Sequence, residues 1–234
     1  MTAVNNVTNL IREIMVNVSF DGDISLEKME TRLASSDLIS SEFVKTSINL
    51  ESEESTSRTG RVGFVLQSKR DERKLLRLKT GMLSYHMLSH YVSSEEYAKT
   101  FKMYWNGIAQ NEIIAPRELS IRYINFIPLE AGEELSDVIN FKVAHPYGDV
   151  KNEFYHAQFY MNELPVNVVI AFEGGKEKRG VFIDHSIKKF FDDNDSQSTI
   201  DFEQIIKQLR PVKNEVFFKM LTDKTKNRYF NGES

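Results

Sequence analysis

Three groups of residues have the types that chemistry needs. His86 and His90 stand four apart, a spacing that on a helix puts two imidazoles on one face, as a metal site requires. The residues around them alternate as in a strand, where positions 86 and 90 share a face but lie about 13 Å apart. Met87 also occupies the place where an HExxH motif needs Glu. The pattern argues against a metal pair, and no metal is expected. Asp184-His185 is the second group. Adjacent strand residues point to opposite faces, so these two do not naturally act together. A metal-dependent hydrolase using Asp184 and a histidine is the last of the alternatives. The third group is Arg122 and Asn125, set in the apolar run of residues 119–127. An Arg there must meet a carboxylate or water. Arg122, Asn125 and Asp184 are therefore ligand-contacting or structural residues, with Glu112 or Glu118 as structural partners of Arg122.

Charge adds one more candidate. Lys69, Arg70, Arg73, Lys74, Arg77 and Lys79 set six positive charges against Asp71 and Glu72. A hairpin of that kind can contact phosphates, and Lys176, Lys178 and Arg179 on a second hairpin would extend it. The competing reading is a solvated hairpin whose charge keeps other strands away.

Other chemistries are missing. The chain has no Cys, which removes thiol nucleophiles, disulfides and thiolate metal sites. It has no GxGxxG, GxxxxGK[ST] or GxSxG motif, and Gly174-Gly175 lacks a phosphate-loop context. No catalytic residue and no cofactor are expected.

The elements that position these groups follow from periodicity. Ile14, Val16, Val18 and Phe20 alternate with Met15, Asn17 and Ser19, the mark of a half-buried strand over 11–20. Asp21-Gly22-Asp23 is a turn. Ser25 caps a short helix with Leu26, Met29 and Leu33 on one side. Strands are expected at 43–50, 61–67, 75–79 and 82–88, with a polar loop at 51–60 and a turn at 68–72. Ser93 and Glu96 make a capping box. The helix it opens carries Tyr97, Phe101, Tyr104, Trp105 and Ile108 on one face, a stripe that helical spacing assigns to core packing. A strand at 119–127 ends at Pro128. The acidic stretch 129–137 is the boundary between halves, and strands follow at 138–143, 154–161, 166–172 and 180–187. A hairpin turn begins at 173–176 between the last two. From Asp201, Phe202, Ile205, Ile206 and Leu209 share a helical face. Proline inside a helix costs about 3 kcal/mol, so Pro211 predicts a kink or two abutting helices before Val216, Phe217, Met220 and Leu221.

Several of these segments carry a resemblance. The Tyr- and Trp-bearing helix followed by Arg122-Tyr123-Ile124-Asn125 resembles a sporadically distributed bacterial family of proteins of about this length. Phe182-Ile183-Asp184, then a helix with Phe217 or Phe218, then Leu221-Thr222-Asp223, fit the same pattern over most of the chain. The family's strand often has a second Arg after the Asn, where this chain has Phe126. The resemblance brings no activity with it. Its patchy distribution implies a mobile-element or antiviral-defence setting.

Composition sets the frame. Of 234 residues, 41% are hydrophobic and 27% charged, with 16 Phe and 9 Tyr, enough to build a core. A net charge of -4 disfavours a generally basic nucleic-acid binder. No leader is visible at the N-terminus, and the most apolar run, 166–172, is far short of the about 20 residues a membrane helix needs. A cytoplasmic location without membrane contact is expected. The sequence predicts an α+β fold, a mostly antiparallel sheet with two principal helical regions. It divides into residues 1–130 and 131–234, two similar halves packed as one unit. The function it favours is non-catalytic recognition or regulation through a protein partner. A nucleic-acid module using the basic hairpin is the first alternative. Oligomeric state is not encoded legibly.

Overall fold

The computed structural model describes residues 10–35, 43–49, 61–89, 93–109, 114–140, 152–174, 179–192 and 200–230. Alternation gives strand β1 (Ile11–Gly22) with Ile14, Val16, Val18 and Phe20 buried. Helix α1 (Leu26–Ser35) follows, its Lys28 N–H donating to the Ser25 hydroxyl at 3.2 Å. Strands β2 (Phe43–Asn49), β3 (Arg61–Ser68), β4 (Lys74–Lys79) and β5 (Met82–Leu88) come next. Helix α2 (Ser94–Ala109) closes this first unit, with the Ser93 hydroxyl accepting from the Glu96 N–H.

The second unit has a similar order, with four strands among its described residues where the first has five. Strand β6 (Ile114–Pro128) leads to a single-turn helix α3 (Leu135–Val138). Strands β7 (Asn152–Met161), β8 (Leu164–Gly174) and β9 (Arg179–Phe190) precede the long helix α4 (Phe202–Met220) and the short α5 (Asp223–Tyr229). Asn162 and Glu163 both have positive φ, as a two-residue hairpin turn between twisted strands demands.

The nine described strands form one antiparallel sheet in the order β2-β3-β4-β5-β1-β6-β9-β8-β7. The fold is α+β. From the β1–β6 junction the order runs outward through β5, β4 and β3 on one side and β9, β8 and β7 on the other. The long helices pack on one face of the sheet, where Phe202 of α4 meets Phe101 and Trp105 of α2 at 5.6 and 5.2 Å. Trp105 also meets Phe20 of β1. Each such buried ring contributes about 1.5–3 kcal/mol by area removed from water. The aromatic stripe of α2 is thus core, as its spacing predicts.

Two expectations are corrected. Residues 138–140 are not the start of a strand. Val138 ends α3, Ile139 makes one isolated bridge to Leu221, and the Asn140 amide donates to the Leu221 carbonyl at 2.7 Å. This segment docks on the end of α4, and residues 141–143 lie outside the described residues. Of the two outcomes expected at Pro211, abutting helices are overturned, because α4 is one element across the proline. The apolar stripe Ile205, Ile206, Leu209, Val212 and Val216 stays buried on both sides of the proline, which holds the helix together despite the lost hydrogen bond. The loop at 51–60, His90, Glu112, Gly175, Lys176 and Lys178 also lie outside the described residues. No helix among the described residues is long and apolar enough to cross a membrane.

Candidate functional site

The sheet face away from the helices holds Arg122 and Asp184. Arg122 Nε donates to Asp184 Oδ1 at 2.7 Å, and its Nη2 donates to Oδ2. This fork on a carboxylate is the strong form of an ion pair. Asp184 is thus the structural partner of Arg122, and Glu118 instead takes Lys188 at 3.0 Å. Two strands further on, His86 Nδ1 lies 2.6 Å from Glu13 Oε1. A carboxylate–imidazole pair is two of the three members of a catalytic triad, but the buried His86 Nε2 has no hydrogen-bond partner, hydroxyl or otherwise. Asp184 is three strand spacings from His86 in the sheet order, about 14 Å. Asp184 and the two described central histidines therefore do not converge. Among the described residues no three His, Asp or Glu cluster as metal ligands.

The basic hairpin is β3–β4, and the pleat splits its cations. Arg77 and Lys79 face the open side, paired in register with Ser84 and Met82, whereas Lys74 opposes Met87 and faces the helix side. Lys69 and Arg70 sit in the turn, and Arg73 is clamped on Asp71 at 2.7 Å. That contact holds the Asp71 carboxyl below its usual range. The six charges point in several directions and form no single track of the kind a phosphate backbone needs.

The sheet has two edges, and they differ. β2 carries Lys45, which bonds Glu30 of α1 and lies over the Phe64 ring at 4.8 Å. β7 reads NEFYHAQFYM, without Lys, Arg or Pro. Phe154 and Tyr160, on the open side, are 70% and 76% exposed, and Tyr155 and Phe159, on the helix side, are exposed as well. Among the described residues no strand pairs with the outer side of β7.

The helix side of the second unit contains a cavity of about 180 Å³ between α4 and strands β6 and β9. Asn125 faces it, because it stands three residues from Arg122 on a strand that pairs with β9 without interruption, so the two side chains point to opposite faces. Asn125 and Arg122 are thereby separated. His185 lines the cavity too, 1% exposed, with both ring nitrogens lacking a partner. Its ring lies between Tyr123 at 6.1 Å and Phe217 at 5.6 Å. Burial pushes the imidazole pKa down to about 3, helped by the nearby Lys213 charge, so it is neutral at physiological pH. Lys213 of α4 places its ammonium 3.7 Å from the Tyr123 ring centre. Burial, with Arg210 one turn away, pushes its pKa down to about 7.

Lys213 was readable as a lysine on an apolar stripe, four residues from both Leu209 and Phe217. The cavity itself was not, since it depends on how four elements pack. No protein-family model and no curated protein matches the chain.

Proposed function

We propose that this chain is a non-catalytic, cytoplasmic recognition protein that binds a protein partner by adding a strand of that partner to β7. One observation carries the reading: a ten-residue edge with four exposed aromatic rings and no Lys, Arg or Pro to deter pairing, its one carboxylate, Glu153, standing at the start of the strand. An extended partner segment would gain main-chain hydrogen bonds along the edge and place alternate side chains between the rings. The fully partnered Arg122–Asp184 and Lys188–Glu118 pairs support structural rather than catalytic work on the open face. The divergent cations of the β3–β4 hairpin make nucleic acid the weaker reading. A defence-associated gene neighbourhood, implied by the family resemblance, is the place to seek the partner.

The test compares the wild-type protein with Phe154→Glu/Tyr160→Glu on β7 and Val44→Glu on β2, each purified from native cells. A stoichiometric protein partner is expected with the wild type and the β2 variant and not with the β7 variant. All three should melt alike, because the altered side chains are exposed. Retention by the β7 variant, loss in the β2 variant, or a partner that proves to be a second copy of this chain would overturn the reading.

A further inference from the structure

The cavity under α4 has the chemistry of a ligand site that strand addition at β7 does not use. It has three properties that rarely coincide in a packed interior. It contains a cation, Lys213, that no carboxylate among the described residues pairs with. It contains His185, fully buried with neither ring nitrogen satisfied. Its remaining polar lining is Asn125, Asn214 and Arg210, while Tyr123, Phe217, Phe218 and Phe230 form apolar walls. Native proteins satisfy buried polar groups, so orphaned ones call for an occupant. The lining has donors in excess and no acid, which selects an anion. The aromatic walls select an apolar body.

We propose that this cavity binds a small organic carboxylate with a body the size of one aromatic ring. A cavity of about 150 Å³ accommodates benzene, and this one is about 180 Å³. The carboxylate lies against the Lys213 ammonium and the Asn125 amide, and the ring lies among the Phe side chains. Neutral His185 donates one N–H to the ligand. Arg210 is held at the rim by Ser94 at 2.9 Å and Glu95 at 3.4 Å, so it adds field rather than a direct contact. His185 from β9, Tyr123 from β6 and Arg210 from α4 are the titratable groups facing Lys213. The start of β1 contributes only Ile11 and the preceding Leu10, and the α5 end only Phe230. A bound anion raises the Lys213 pKa from about 7, so binding above neutral pH must take up a proton.

The experiment is calorimetric titration of the full chain with benzoate, benzamide and inorganic phosphate at pH 8, in two buffers of different ionisation enthalpy. Benzoate is expected to saturate one site at least tenfold more tightly than benzamide or phosphate, with proton uptake. Lys213→Met keeps the stem over Tyr123 and should weaken benzoate at least tenfold and abolish the uptake. Intermolecular NMR contacts from benzoate to the Phe217 and Phe230 rings locate the site independently of that variant. Failure of benzoate to saturate, equal binding of benzamide, tighter binding of phosphate, or an unaffected Lys213→Met would each overturn the proposal. Loss of the partner in the β7 variant leaves this result unchanged, so the two readings fail separately.

Discussion

The two units of the sheet share a plan and finish it differently. In the first unit the helix–sheet interface closes on itself. Tyr97 of α2 donates to the Ile14 and Tyr85 carbonyls at 3.0 and 2.5 Å, and its ring lies 4.9 Å from Tyr85. Its edge strand β2 is tied to α1 through Lys45 and Glu30. In the second unit, β9 turns His185 to the helix side, as β5 turns Tyr85, but the ring nitrogens are orphaned and a cavity remains. Its edge strand β7 shows bare aromatic rings. At the helix–sheet interface the first unit spends its polar groups on its own stability, and the second leaves His185 unpaired; the first unit's own orphaned atoms, His86 Nε2 and Arg77 Nε, lie on the other face of the sheet. Function is drawn from the less satisfied interface, because a group already paired has little to offer a ligand.

That contrast can be broken at several points. The largest effect belongs to the closed unit: Trp105→Ala removes a fully packed ring shared by β1 and α4 and should cost about 3–5 kcal/mol in denaturant unfolding. Acid tests the open unit. His185 has its pKa lowered to about 3 in the folded state, so the unfolded chain binds more protons between about 6.5 and about 3. Stability attributable to His185 is complete above that window and falls as pH falls through it. His185→Leu should flatten this part of the pH–stability curve and, by removing two unsatisfied nitrogens, raise stability at pH 7 by about 1–3 kcal/mol. The matched change in the first unit has the opposite sign. Tyr97→Phe strips a donor from two buried carbonyl contacts and should cost about 1–2 kcal/mol. Smallest is Lys45→Ala, an exposed pair whose loss should cost about 0.5 kcal/mol or less in the same melts.

Much of the fold is local, and local features were legible. Alternation in residues 11–20 and the stripe from Tyr97 to Ile108 report which side of each element is buried, and the structure places them so. The order of the sheet was not legible, because β1 pairs with β6 through contacts such as Asn17 to Ser120, 103 residues apart. The same non-locality hid the partner of Arg122, since Asp184 lies 62 residues away on β9 while nearer Glu118 is taken by Lys188. Residue types flagged Arg122, Asn125 and Asp184 as one group, yet the three-residue offset from Arg122 sends Asn125 to the other face, a parity that the sequence already carried. The α3 turn escaped notice because four residues carry no periodicity. The β7 edge was visible as a strand, but which strands become edges depends on pairing that sequence alone does not state.

Site-specific photo-crosslinking tests the assignment of partner binding to β7 most directly. A photoreactive residue in place of Tyr160 on β7, and another in place of Thr46 on β2, would be activated in native cells and the adducts identified by mass spectrometry. The account predicts one protein partner crosslinked from position 160, through an extended segment of that partner, and none from position 46. Crosslinks from position 46 alone, or no protein crosslinked from position 160, would contradict it.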